Sequence, residues 1–327
     1  MAAPDAPVDP QRRRQDRLLS ERIEAAMEPL HRVNRGLGVL RLLILLLPVV
    51  VGLVMYWRVE ALPLACLWLL PAVVAYAFLM IATHDISHGT LLDLGPWEQA
   101  LGCALSWPIA WPYRTYRNLH QLHHRMNGSD LRDPERREPS PEERADAGRW
   151  RRWHFDHPFW VSALVMGGAQ LILSMVWCAR RLRGVHSRLE EGLRADLLGI
   201  LAVQLLIVAA ALLHGQPLRL LLMILISERL VGAVMQTRGL IEHHGLWRRD
   251  TTYELTQLYS SRNIAAGPLV NLLMGGLPHH SLHHAYPTIP YDRLPEASAV
   301  AERILLEQGR PSLPRVAGYG AGVGLLL

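Results

Sequence analysis

The chain contains no lysine, and all 34 of its basic residues are arginine. That bias reads as codon usage rather than chemistry, although it leaves a basic surface with a formal net charge of +5. Cysteine is scarce as well. Cys66, Cys103 and Cys178 are the only three, each sits in an apolar stretch, and their spacing fits neither a zinc site nor a disulfide framework. No C-x-x-C-H and no G-x-G-x-x-G occurs, which excludes a fused cytochrome or flavin module. No aromatic-rich soluble module lies between the arginines, so they read as flanks of membrane segments and not as a nucleic-acid surface. No apolar run follows Arg12, Arg13 and Arg14 directly, so a cleaved signal peptide is not expected. There is no internal repeat.

What is abundant is apolar sequence, half of the 327 residues. Residues 16–35 read as a charged helix on a membrane surface. A first span is expected from about Leu37 to Tyr56 and a second from about Leu62 to Ala82, each near the roughly 20 residues that a bilayer core requires. The stretch 100–112, rich in Trp and Pro, is too short to cross and reads as interfacial. Residues 125–153 form a charged loop. Further apolar segments lie at 158–178, 196–214 and 217–236. Arginines flank 158–178 at both ends, so it is expected to enter and leave on one side, while 196–214 and 217–236 form a second hairpin turning at His214–Pro217. The expectation is an all-α integral membrane fold of four transmembrane helices in two hairpins, with both termini and a helical cap on the cytoplasmic side; the alternative, five spans, would separate the histidine clusters across the membrane. In this scheme residues 1–36 are a basic cytoplasmic segment, 37–300 the membrane domain and 301–327 a tail.

Sixteen histidines are present, ten of them clustered. His84 and His88 have i, i+4 spacing directly after the second span, which puts both imidazoles on one face of a continuing helix. His120, His123 and His124 repeat the i, i+3 and i, i+4 pattern, and His280, His283 and His284 repeat it again. Glu242-His243-His244 follows the last apolar segment. One such pair is a weak signal, since a lone boundary histidine is more often a satisfied structural residue, but three clusters together point to metal. Imidazole suits Zn, Cu, Fe and Ni alike. The ligand count exceeds what one zinc uses and suits two metals. The Glu and Glu-x-x-His pattern of soluble di-iron bundles does not appear. Asp85, Asp130, Asp133 and Glu242 are candidates to orient imidazoles. His31, His154, His157, His186 and His214 read as surface or interface residues, and Glu228-Arg229 as an interior pair or a mark of a substrate channel.

The order H-x-x-x-H, H-x-x-H-H, H-x-x-H-H resembles the membrane fatty acid desaturase and hydroxylase superfamily. So do Asp130 and Asp133-Pro134 after the second box, and Tyr286-Pro287 through Leu294-Pro295 after the third. The likeness spans roughly residues 40–300. It implies a cytoplasmic di-metal site of two iron ions with His84, His88, His120, His123, His124, His280, His283 and His284 as ligands. The family adds one more histidine after the last span, for which His243 is preferred and His244 is the rival. His279 stands where relatives are usually aromatic and is expected not to ligate. Leu282 stands where relatives often carry Glu, which removes one carboxylate that might have steadied a ligand.

The resemblance further implies O2 as co-substrate and removal of hydrogen from an unactivated C–H bond of a membrane lipid or similar molecule. Loss of a second hydrogen gives an alkene, the preferred outcome; oxygen transfer gives an alcohol, as in a hydroxylase or ketolase acting on a lipid, terpenoid or carotenoid. Electrons are expected from a separate ferredoxin-, rubredoxin- or cytochrome b5-like protein with its reductase, docking on the arginine-rich face. The expected location is the bacterial inner membrane with the site on the cytoplasmic side. A zinc intramembrane protease is a distant alternative, since His84-Asp-Ile-Ser-His88 has H-E-x-x-H spacing but lacks the Glu base. A divalent-metal transporter fits less well, because transport sites lie near the midplane.

Overall fold

A computed structural model of the chain describes residues 9–327. Its architecture follows from the apolar runs: in hydrocarbon a backbone must satisfy its own polar groups, and a helix does so within one segment. Among the described residues four helices are long and apolar enough to cross a membrane: Arg35–Arg58, Leu62–His88, Phe159–Arg181 and Leu189–Leu213. The protein is an all-α integral membrane protein, and among the described residues the only strands are the two-residue parallel bridge of Asn263–Ile264 with Arg315–Val316.

The count of four agrees with expectation, but the membership differs. The segment 158–178, expected to enter and leave on one side, forms the helix Phe159–Arg181, which has the length and composition of a span. Its first eight residues, Phe159–Met166, are wound as a π-helix. The segment 217–236 lies within a 27-residue helix, Pro217–His243, that is not among the four. Arg219, Glu228, Arg229 and Arg238 interrupt its apolar face and lower its hydropathy.

The chain divides into two compact units. One comprises Arg35–Gln121 and Phe159–Thr237, and the other the residues up to Asn34, Leu122–Pro158 and Arg238–Leu327. They are called here the apolar and the polar unit. Both boundaries between Gln121 and Leu122 and between Thr237 and Arg238 fall inside continuous helices, Tyr113–Met126 and Pro217–His243.

In the apolar unit, Leu62–His88 has a proline in its first turn, where the missing N–H costs nothing, and stops at Gly89. That residue takes φ 72°, and its N–H caps the carbonyls of Asp85 and Ile86, an end that glycine adopts without steric penalty. The helix therefore runs unbroken through both His84 and His88. The expected interfacial stretch is a helix, Pro96–Ser106, followed by a 3-10 turn, Trp107–Ile109. Side chains fix it firmly. Asp196, fully buried, accepts from Trp107 Nε1 at 3.0 Å, Thr115 N at 2.7 Å and Thr115 Oγ1 at 2.8 Å. Tyr76 donates its hydroxyl to the Leu105 carbonyl at 2.6 Å.

Helix Pro217–His243 crosses Phe159–Arg181 where glycines face each other. A Cβ added at Gly232 would lie 1.9 Å from Gly168 N. The obstacle is backbone, so no rotamer change can relieve it. Gly232→Ala should therefore cost at least the roughly 1–3 kcal/mol typical of overpacking, read as a lower thermal unfolding midpoint in detergent. An unchanged midpoint would show that the two helices separate freely.

In the polar unit, helix Pro10–Met27 corrects the surface-helix expectation for residues 16–35. Leu19, Ile23 and Met27 are buried in one apolar cluster with Leu255, Leu258, Leu282, Ala297 and Leu305. Asp16 is fully buried, accepts from Thr251 Oγ1 at 2.6 Å and pairs with Arg310. The helix is a core element because its apolar stripe has protein to cover, and its arginines occupy the opposite face. The charged loop 125–153 contains two short helices, Pro141–Ala145 and Arg149–Asp156. Helix Leu294–Glu307 buries Ala297, Ala301, Ile304 and Leu305, and Gly322 packs against Ile241.

Candidate metal centre

In the apolar unit the end of Leu62–His88 brings His84 and His88 to His120 on helix Tyr113–Met126. Ring centroids are 5.0 Å apart for His84–His88, 4.7 Å for His84–His120 and 5.1 Å for His88–His120. One nitrogen from each lies within 4.8 Å of the others. His84 and His120 are buried to within 2%.

The imidazole of His84 is held from behind. Its Nδ1 lies 3.2 Å from Asp85 Oδ1, and Asp85 Oδ2 is ion-paired with Arg41. Arg41 is fully buried although it stands in the apolar helix Arg35–Arg58. A buried cation there is tolerated because it is paired. On the other side Tyr116 stacks on His120, centroids 5.3 Å apart and planes 21° from parallel.

The polar unit carries the remaining histidines. His123 and His124 come from the last turn of Tyr113–Met126, His243 from the end of Pro217–His243, and His280, His283 and His284 from the short helix His280–Ala285. Ligand atoms of His123, His243 and His284 lie within 4.8 Å of one another, as do those of Glu242, His243 and His280. Nitrogen faces nitrogen at short range: His280 Nε2 to His243 Nε2 2.9 Å, His283 Nε2 to His124 Nε2 3.2 Å, His123 Nε2 to His243 Nε2 3.4 Å. His120 and His124, four residues apart, share one face of the helix that carries both.

Outer partners are again in place. His123 Nδ1 donates to the Asp133 carboxylate, 2.8 and 3.0 Å from its two oxygens. His284 Nδ1 lies 3.1 Å from Gln257 Oε1, which leaves its Nε2 buried without a hydrogen-bond partner. Glu242, fully buried, has Oε2 3.2 Å from Arg238 Nη1 and 3.4 Å from His280 Nε2. Such partners fix the tautomer and aim the free nitrogen.

Burial sets the protonation. It pushes His243 and His284 well below the ordinary histidine range, and neighbouring imidazoles add to this. Both are neutral at pH 7, the form that ligates metal. For His123 burial works against charge, but Asp133 and Glu135 outweigh it and raise the pKa. Burial pushes the Glu242 carboxyl up to about 7, against the pull of Arg238 and Arg137. The donor set is thus imidazole-rich with one carboxylate at its edge, converging nitrogens and an unsatisfied His284 Nε2. It fits bound divalent metal, and the histidine clusters are placed to hold two ions.

All nine histidines singled out from the sequence fall in these two groups. His244 does not join them, and neither does His279, whose pKa burial lowers to about 4. The two aspartates after the second box part company: Asp133 binds His123, whereas Asp130 pairs with Arg132 at 2.7 Å near the surface. Sequence reading missed Arg41, Gln257 and Arg238. Of these only Arg41 left a usable trace, a charge inside an apolar run with an opposite charge, Asp85, at the end of the next one.

Comparison with curated proteins gives no match. The sequence profile described as "Fatty acid desaturase" matches residues 61–315, from the start of the second apolar helix past the third histidine box. That is well over half of the chain, and it includes every histidine of the two groups. The chain therefore belongs to the fatty acid desaturase family.

Proposed function

We propose that this protein desaturates the alkyl or acyl chain of a lipid-like substrate with O2, at two iron ions held by His84, His88, His120, His123, His124, His243, His280, His283 and His284. The observation that carries the reading is the convergence of buried imidazole nitrogens, each group backed by carboxylate or amide partners. Bound iron with O2 would supply an oxidant strong enough to take hydrogen from an unactivated C–H bond.

The chain's own residues supply position and dryness. Asp85 with Arg41, Asp133 and Gln257 fix His84, His123 and His284 in single orientations, which a metal site needs before it binds. Tyr116 covers one face of His120 and keeps water from it. Glu242, near neutrality between Arg238 and His280, can take up or release a proton beside the histidines. The same Arg41 pairing argues against a protease: with Asp85 tied to a buried guanidinium, no free carboxylate remains at the position of a general base.

Electrons come, on this reading, from a separate ferredoxin-, rubredoxin- or cytochrome b5-like protein meeting an arginine-rich cytoplasmic face of a bacterial inner membrane. Steering of an acidic carrier by such a face is an expected long-range effect. A hydroxylase or ketolase outcome uses the same site and differs only in sub-ångström placement of the substrate.

Protein purified in mild detergent should contain two irons per chain and little zinc by elemental analysis. Turnover with labelled 18-oxygen gas should give a product lighter by two hydrogens and free of label. A product heavier by one labelled oxygen would replace desaturation with hydroxylation. One zinc and no iron would end the di-iron reading altogether.

A further inference from the structure

Helix Arg149–Asp156, with the sequence RWRRWHFD, belongs to the polar unit. It holds two outward tryptophans: Trp150 is 80% exposed and Trp153 47%. Residues three apart lie on one side of a helix, so the two indoles project together. Left in water, they forgo the burial from which large aromatic side chains draw most of their stabilisation.

The rest of the unit fixes which way this helix faces. Arg152 Nη2 donates to the Ala145 carbonyl at 2.7 Å, and Asp156 is ion-paired with Arg144. Arg152 and Asp156, four apart, share a side, and at 100° per residue that side is turned away from the indoles. Their partners end the short helix Pro141–Ala145, whose start is closed by a capping box between Ser140 and Glu143. Glu143 is held in turn by Arg136 at 2.6 Å. Arg149 and Arg151 stand one on each flank of the indole face, and both are exposed. The Arg151 guanidinium lies 5.4 Å from the centroid of the Phe155 ring.

Chain continuity says what covers such a face. Only His157 and Pro158 separate Asp156 from Phe159, where the apolar helix Phe159–Arg181 begins. Three Cα steps reach at most about 11 Å, so the helix ends close to the start of a segment with the character of a span. Tryptophan at that level places its apolar ring against acyl chains and its N–H in the headgroup layer. Arginine beside it meets phosphate with a two-pronged donor.

We infer that helix Arg149–Asp156 is a membrane-interface anchor selective for anionic phospholipid, with Trp150 and Trp153 set into the headgroup layer and Arg149 and Arg151 on the lipid phosphates. An acidic soluble protein would answer the arginines equally well, but the immediate run into an apolar helix favours lipid. The inference is independent of the histidine centre and its chemistry.

Tryptophan fluorescence of the full-length protein in bilayers tests it. The bilayers are phosphatidylcholine into which either phosphatidylglycerol or phosphatidylcholine, brominated near the headgroup, is titrated. The chain has ten tryptophans, so the signal of this pair is taken as the difference from a Trp150→Phe, Trp153→Phe double variant. That signal should be quenched by brominated lipid and protected from iodide in the water. Half-quenching should need about fivefold less brominated phosphatidylglycerol than brominated phosphatidylcholine for each arginine that meets the surface. Arg149→Gln with Arg151→Gln should bring the two lipids level while the pair stays quenched, and the thermal unfolding midpoint should hold because both side chains are exposed. Quenching by iodide and not by brominated lipid would put the face in water, as a docking surface for a soluble protein, and overturn the inference. Equal half-quenching by the two lipids in the unaltered protein, or a preference that survives the loss of both arginines, overturns it as well. No readout uses iron, O2 or turnover, so failure here leaves the proposed function untouched.

Discussion

His243→Ala should lose iron and fall to background turnover, whereas His244→Ala should retain both. The two residues are adjacent in sequence and similar in type, so no difference in helix propensity or charge separates them. Position does. His243 is the residue common to both ligand groups of the polar unit, beside His123 and His284 in one and beside Glu242 and His280 in the other. Its Nε2 lies 2.9 Å from His280 Nε2 and 3.4 Å from His123 Nε2, so its removal withdraws a donor from both groups at once. His244 joins neither group. His279→Ala is the matching control in the third box, since His279 lies outside the ligand groups. Iron per chain after gel filtration decides the matter, with turnover measured on the same samples. Iron loss in His244→Ala equal to that in His243→Ala would mean that the pair is read in the wrong register.

How much of this was legible beforehand differs by element. The three histidine boxes were readable because i, i+3 and i, i+4 spacing has one meaning on a helix, and helices Leu62–His88, Tyr113–Met126 and His280–Ala285 carry them as that spacing demands. The apolar runs announced long helices, and segment 158–178 forms one with the length and composition of a span although arginines flank it. Segment 217–236 lies in the helix Pro217–His243, whose own charges keep it out of that apolar set. The N-terminal helix was misjudged. Its arginines are visible in sequence, while the partners that bury Leu19, Ile23 and Met27 lie more than 200 residues away. Asp133 and Asp130 looked alike for the same cause, since only the fold places one of them against His123.

The buried pair Arg41–Asp85 yields the other large effect. Both side chains are nearly inaccessible, 0% and 6% exposed. Removing one partner of such a pair strands the other charge, a loss of about 3–5 kcal/mol. Arg41→Met should therefore lower the thermal unfolding midpoint sharply and drain iron with it. Instability alone would explain that result, so the informative variant is the double one, Arg41→Met with Asp85→Asn. Neutralising both partners removes the stranded charge and can restore stability. It cannot restore a carboxylate behind His84, whose Nδ1 would then face an amide in place of Asp85 Oδ1 at 3.2 Å. Loss of such a partner weakens metal binding by roughly 10–100-fold. The double variant should thus unfold near the midpoint of the unaltered protein yet release iron to a chelator at a concentration lower by that factor. If it keeps its iron as tightly as the unaltered protein, Arg41 serves only to neutralise Asp85. If instead the iron loosens while the fold holds, the Asp85 carboxylate steadies His84 for the metal, and the charge inside an apolar helix is explained as the counter-charge that this buried carboxylate requires.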